Sequence, residues 1–373
     1  MFVAWRDLKF AKGRFALMAT VIVLITLLVG LLSGLTAGLG RQNTSAITHL
    51  PADRIAFQAP SGGDGLSYAN STVTAEQWRQ WAKAPGVESA EPLGITTTRA
   101  TATDGTTGTD RSTGVSVFGV RSGSHLAPAG DAIDDGTAVL SRAAADDLAL
   151  TEGDTLTLAG QRLTVAAVRG DAYFSHTPVV WTSLKTWRAT APPAPGGGTG
   201  TGAAATATVI ALNTTSAADT AAVDARTGTR TVPTGDSLSA IGSYTSENGS
   251  LQLMRGFLFV ISALVIGAFF TVWTIQRSGD IAVLKALGAS TPGLLKDALG
   301  QAFVLLVGGT LLGTGAAAAL GALVAGSAVP FLLAPATLLL PAAATILLGA
   351  LGAALSVRRI TSVDPLTALG SAR

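Results

Sequence analysis

The chain has 373 residues, of which 48% are hydrophobic and only 13% charged, with a mean hydropathy of +0.46. A soluble protein carries about a quarter charged residues, so this composition excludes an ordinary cytosolic enzyme and fits a chain partly embedded in lipid. The absence of Cys also excludes disulfide scaffolds, zinc–thiolate sites, cysteine nucleophiles and a lipobox.

The net charge of +2 is a cancellation: residues 40–253 carry 14 Lys+Arg against 19 Asp+Glu, whereas the remainder carries 11 against 4. At the start, Trp5-Arg6-Asp7-Leu8-Lys9-Phe10 places apolar residues at helical spacing beside basic ones, so residues 1–14 predict an amphipathic helix on the inner membrane surface. Residues 15–39 follow without a charge and predict the first span, since about 20 apolar residues cross the hydrocarbon core. That run is longer than the roughly 7–15 apolar residues of a cleavable signal peptide.

Residues 40–253 read as an α+β domain of two small lobes. Strands are predicted at Arg54–Gln58, Gly94–Thr103, Val115–Val120 and Thr137–Leu140. A helix at Ala75–Lys83 is capped by Thr74, and a second follows at Ser141–Leu150. A strand pair at Thr155–Leu158 and Arg162–Val168 comes next, then a strand at Val179–Trp181. Ala191–Ala205 is a low-complexity Gly/Pro segment expected to be a loop. Strands at Thr206–Leu212 and Thr229–Val232 flank a helix at Ala217–Arg226, and Leu238–Met254 reads as a helical stalk.

A second span is predicted at 254–275, followed by a basic loop at 276–297. Sixty residues from Ala298 to Val357 then lack a charge. One helix of that length would run about 90 Å, roughly three bilayer cores. It must fold back at Gly326–Pro330, giving spans at 298–325 and 332–356 and a basic tail at 357–373. Lys and Arg flank the first span on its N-terminal side, the second on its C-terminal side, and the fourth on its C-terminal side. This pattern places both termini in the cytoplasm and residues 40–253 outside. The fold class is therefore a four-helix membrane protein with an α+β extracytoplasmic domain inserted between helices 1 and 2.

No Walker A pattern, strand-linked GxGxxG, GxSxG or HExxH occurs, so no nucleotide site, metal site or catalytic site is expected in this chain. His49, His125 and His176 read as solvated surface residues. Apart from Arg255 at the outer edge of the second span, the spans lack ionisable residues, which disfavours ion-coupled transport. Basic residues form no continuous stripe, so no nucleic-acid partner is expected.

The loop Arg277-Ser278-Gly279-Asp280-Ile281-Ala282-Val283-Leu284-Lys285-Ala286-Leu287-Gly288 sets Ile281, Leu284 and Lys285 on one helical face, with Gly288 where a C-cap would fall. By physics alone this is a short amphipathic helix, equally suited to resting on lipid. The loop resembles the coupling helix of FtsX/MacB-like (type VII) ABC transporter permeases. The same resemblance covers the four-span layout, the stretch Ala138–Val168 and the ending Asp364-Pro365-Leu366-Thr367-Ala368-Leu369. It implies that Asp280, Ile281, Ala282, Val283, Leu284, Lys285 and Leu287 dock onto a separate ABC ATPase, present in two copies and holding the ATP and Mg. It further implies a permease homodimer in the bacterial plasma membrane, with the first two spans at the interface. Gly30, Ser33, Gly34, Ala37 and Gly38 would permit close contact there.

Residues 6–45 resemble the HrtB-like haem-exporter branch, which implies haem as substrate. Haem iron accepts His, Met or Tyr, so His49, Tyr244 and Met254 are candidate contacts, with Glu247 as a polar partner. Export of a peptide antibiotic, lipid or lipoprotein, or an FtsX-like signal relay without transport, are the alternatives.

Overall fold

The computed structural model describes residues 12–103, 110–191, 205–276, 290–324 and 329–361, together with Gly279, Val283, Gly288 and Ser327. It divides into two compact units, Gly40–Asn248 and a second formed by Met1–Leu39 with Gly249–Arg373.

The inserted unit starts from the end of helix α1 (Lys12–Thr48) and strand β1 (Arg54–Gln58). Strand β2 (Val73–Thr74) leads into α2 (Ala75–Ala82), where Thr74 and Gln77 form a reciprocal capping box. Two long strands follow, β3 (Val87–Thr103) and β4 (Asp110–Val120). After β5 (Thr137–Leu140), the Ser141 hydroxyl caps α3 (Arg142–Leu148). Next come β6 (Thr155–Leu158), β7 (Gln161–Val168), the short β8 (Tyr173–Phe174) and β9 (Thr177–Ser183). Ser183 caps α4 (Leu184–Thr190), a helix the sequence reading missed. Beyond it lie β10 (Ala205–Ala207), β11 (Val209–Thr214), α5 (Thr220–Thr227) and β12 (Thr229–Pro233).

The main sheet runs β12-β1-β11-β3-β4-β9-β5-β7-β6, and β6 also pairs with β3. That last pairing closes β3, β4, β9, β5, β7 and β6 into a ring. The expected separation into two lobes is corrected by strand β3. Its first residues, 87–93, pair with β11, while residues 94–103 pair with β4. One strand thus belongs to both lobes, and the alternating side chains build two cores that cross the boundary. Ala56, Trp81, Val117, Leu140 and Leu156 belong to one; Ile55, Phe57, Phe118, Val139 and Trp181 belong to the other. Gly94 and Gly119 are paired across β3 and β4, and a Cβ on either would lie 2.3–2.4 Å from Trp187 of α4. The paired glycines form the slot that admits the indole.

The expected helical stalk is also interrupted. A short 3-10 turn covers Asp236–Ala240, and helix α6 (Tyr244–Gln276) begins only after it. Residues 192–204 of the predicted low-complexity loop lie outside the described residues.

The second unit is built from α1, α6, α7 (Thr291–Val324) and α8 (Pro335–Thr361). Each of the four is long and apolar enough to cross a membrane. Phe15, Ile22, Ile266, Phe270, Trp273 and Leu306 join all but α8 in one cluster, and Ala353 adds that helix. In hydrocarbon an unpaired polar group is costly, although the buried hydroxyls of Thr26 and Thr310 have no partner. The hydroxyls of Thr20, Ser262, Thr271 and Thr345 donate to the carbonyl one turn earlier, at 2.7–2.9 Å.

Helices α1 and α7 meet through a repeat of four. A Cβ on Gly309 would lie 2.7 Å from Ile22; one on Gly313 would lie 2.8 Å from Thr26 and one on Gly30 2.8 Å from Ala317. One turn further on, the Phe331 ring fills the space beside both Gly34 and Gly321, and the Leu332 amide donates to the Gly34 carbonyl at 3.0 Å. Gly38 faces the Pro330 carbonyl in the same way. Gly30, Gly34 and Gly38 were expected to serve contact between copies. They are occupied within the chain instead.

Candidate functional site

A polar cluster of the inserted unit gathers around the β8–β9 turn. Ser175 and His176, its two central residues, have φ of +49° and +65°. Two positive φ values are the signature of a type I′ hairpin turn, a position that favours Asn-Gly. Neither residue here is the easy choice, and both are used. The Ser175 amide donates to the Asn43 carbonyl and the His176 amide to the Gln42 carbonyl, each at 3.0 Å. These carbonyls belong to the last turns of α1.

Side chains extend the contact to the first turn of α6. His176 Nε2 donates to Glu247 Oε2 at 2.7 Å, and Asn43 Nδ2 donates to the same oxygen at 3.0 Å. Asn43 Nδ2 also reaches Ser243 Oγ at 3.1 Å, and that hydroxyl donates back to Asn43 Oδ1 at 3.3 Å. Asn43 is only 2% exposed, so its complete pairing matters. Ser45 Oγ accepts from the Tyr173 amide at 2.8 Å, and Arg41 pairs with Asp171. Burial pushes the Tyr173 phenol above its ordinary range, and the neighbouring Asp171 charge adds to this. Three segments distant in sequence are thereby pinned together: the end of α1, the β8–β9 turn and the start of α6.

Glu247 is the one substrate candidate that the structure brings into this cluster. Tyr244 is partly buried and packs against the core that contains Phe57, Phe118 and Trp181. His49 is exposed just beyond α1. Met254, 45% exposed on α6, belongs to the other unit. His176 corrects the solvated-surface reading made for all three histidines; His49 and His125 are exposed, whereas His176 is held against Glu247. Its partners Glu247 and Gln42 lie 71 and 134 positions away along the chain, so no local pattern could have indicated the pairing.

Of the loop residues expected to dock an ATPase, Val283 is exposed, and Gly288 has φ of +93°, the left-handed conformation of a C-cap glycine. Asp280, Ile281, Ala282, Leu284, Lys285 and Leu287 lie outside the described residues. Among the described residues no group of three or more His, Asp or Glu gathers as a metal site would require. Clefts stand elsewhere among the described residues, two of them large. One of about 630 Å³ in the inserted unit is lined by Arg121, Lys185 and Arg188 opposite Asp134 and Asp135. Hydrogen bonds from Lys185 and Ser183 hold the Asp135 carboxyl below its ordinary range. The other, about 700 Å³ and apolar, lies between α6 and α8 along Phe259, Ala263, Gly267, Leu351 and Ser356.

Four apolar helices and an inserted α+β domain built around a clasp between helix ends describe a membrane permease. The MacB-like periplasmic core domain matches residues 15–229, and the FtsX-like permease C-terminal domain matches residues 253–365. The chain belongs to the MacB/FtsX-like family of ABC transporter permeases. It is 25% identical over 377 residues to a Staphylococcus haemolyticus protein that bears the name hemin transport system permease protein HrtB, with 99% of each chain covered. It is 30% identical over 132 residues to an uncharacterized ABC transporter permease of Mycobacterium tuberculosis, covering 32% of this chain and 34% of that one. Among solved structures, the periplasmic region of MacB from Actinobacillus actinomycetemcomitans aligns over 51% of this chain and 92% of that one, at 10% identity and a TM-score of 0.34.

Proposed function

We propose that this chain is the permease of an ATP-driven exporter that extrudes a membrane-associated amphiphile, with haem as the leading candidate. The observation that carries the substrate class is the alignment with the hemin permease of S. haemolyticus along 99% of both chains. In this reading two copies of a separate ATPase bind and hydrolyse ATP with Mg, and this chain supplies neither nucleotide site nor cofactor. The loop from Asp280 to Leu287 receives their motion. Helices α1 and α6, each contributing residues to both compact units, pass it to the inserted domain as a rigid-body change. The complex is a permease homodimer in a bacterial plasma membrane, both termini inside.

Two measurements test this. Ile281→Asp or Leu284→Asp places a charge on the docking face, and the ATPase should no longer co-purify; unchanged co-purification refutes the coupling role. Haem titrated into the purified wild-type protein should shift its Soret band, and Tyr244→Ala, Glu247→Ala or Met254→Ala should weaken that shift. A wild type without any Soret change removes haem from the proposal. ATP hydrolysis indifferent to every amphiphile offered would favour a signal relay.

A further inference from the structure

The β8–β9 turn carries a contradiction between local and wider demands. Its two central positions call for residues that accept positive φ at no cost, yet they hold Ser175 and His176 at +49° and +65°. Non-glycine residues held in this region cost of order 1–3 kcal/mol and persist where the surroundings over-determine them. The surroundings here are specific. Both turn amides point at carbonyls of α1, and the His176 ring donates to Glu247 on α6 while Asn43 donates to the same carboxylate oxygen. The hairpin behind the turn is fixed as well, since Tyr173 pairs with Pro178 and Phe174 with Thr177. Phe174 is seated among Tyr68 and Phe118 with ring centroids 5.4 and 5.7 Å away.

We propose that His176 is a positioning residue, and that its strained turn is a latch fixing the spacing between the end of α1 and the start of α6. The turn reads both helices at once: backbone to α1, imidazole to α6. Asn43 and Ser243 join the helices directly, at 3.1 Å, so the latch sets the geometry of a pair that already touches. Nothing in the proposal requires substrate, but its consequence for export rests on the transport reading above.

The absence of Cys allows spin labels at Thr48→Cys and Ser246→Cys alone, both exposed positions flanking the latch. In the full-length protein the label–label distance distribution should be narrow. His176→Ala, which keeps the strained turn and deletes the imidazole, should broaden it. Ser175→Asn with His176→Gly, which supplies the favoured turn sequence and deletes the same contact, should broaden it equally while raising the melting temperature. A residue that served only to fold the hairpin could not lose helix spacing while gaining stability. In complex with the ATPase, amphiphile-stimulated hydrolysis should fall about tenfold in both variants, the scale of one hydrogen bond to a charged group, with co-purification unchanged. An unaltered distance distribution in both variants overturns the latch. A broadened distribution in a protein whose wild type shows no amphiphile stimulation supports the latch and removes the exporter reading.

Discussion

Trp187 shows how single residues of the inserted domain are fixed by distant ones. Its indole is 5% exposed and lies over two glycines that face each other across β3 and β4. A methyl group at Gly94 or Gly119 would sit within 2.4 Å of its ring or Cβ. Overpacking a core of this kind costs about 1–3 kcal/mol. Gly94→Ala and Gly119→Ala should each lower the melting temperature, and Gly136→Ala should owe any loss to its backbone alone, having no neighbour within 4 Å. Equal melting of wild type and Gly94→Ala would mean that α4 shifts at no cost. Asp154 offers a residue-scale effect of pH. Its carboxylate accepts from the Thr151 amide at 2.7 Å and the Thr151 hydroxyl at 2.8 Å, which together hold it below its ordinary 3.8. A depressed folded-state value means that the unfolded chain binds the proton more readily. The stabilisation is therefore complete above that ordinary value and fades as pH falls through the lower one. Acid melts of Asp154→Asn should show a shallower dependence on pH across that window than wild type does; parallel curves would assign the contact no role.

At the scale of elements, the contact between α1 and α7 decides how the first span is used. Gly309, Gly313, Ala317 and Gly321 repeat every fourth residue and take Ile22, Thr26, Gly30 and the Phe331 ring against them. Small residues at this spacing let helix backbones approach closely in lipid, where no hydrophobic drive joins them. Gly313→Leu should collapse this seam, because its first added atom already meets the Val23 carbonyl oxygen at 2.6 Å. Gly315→Leu, two residues along with nothing within 4 Å, should leave yield and melting temperature close to wild type. Comparable losses in both would place the seam elsewhere. The same helices show which features a sequence exposes. Length and unbroken apolarity made four helices legible, and Thr74 made the start of α2 legible to the residue. The small residues of α1 from Gly30 to Gly38 were visible too, but spacing alone does not say whether their partner lies in the same chain or in another copy. Strand β3 was hidden for a related reason. Its first half, Val-Glu-Ser-Ala-Glu-Pro-Leu, has weak strand propensity and is held extended by β11, a partner more than a hundred positions away. The latch was the least legible of all. His176, Asn43 and Glu247 have ordinary neighbours in sequence, and only the folded hairpin makes them a unit.

For the molecule as a whole, charge is partitioned more sharply than in any one element. The inserted residues 40–253 carry a net −5 and the remainder a net +7, and Lys and Arg cluster on one side of the spans, with Arg41 and Arg255 next to them on the other. Such a bias sets orientation through short loops near the membrane, and 276–297 is one of these. The connection between α7 and α8 has no charged residue at all, and its Pro330 and Phe331 pack against Gly38 and Gly34 of α1. If α1 leaves the cytoplasm near Lys12, this contact puts the connection at the opposite end of the same helix, where its lack of charge also places it. Single Cys variants can be read without background because the chain has no Cys of its own. Glu76→Cys on α2 and Ser327→Cys in the connection, both exposed, should react with a membrane-impermeant maleimide on intact cells. Ser290→Cys, exposed just before α7, should react only once the membrane is opened. Reaction at Ser290 in intact cells would reverse the orientation and put the proposed ATPase-docking loop on the wrong side. Protection of Ser327 with labelling at Glu76 would instead require one of the last two helices to remain on a single side. That result would also separate Phe331 from its seat against Gly34, since the two could no longer share one end of the bundle.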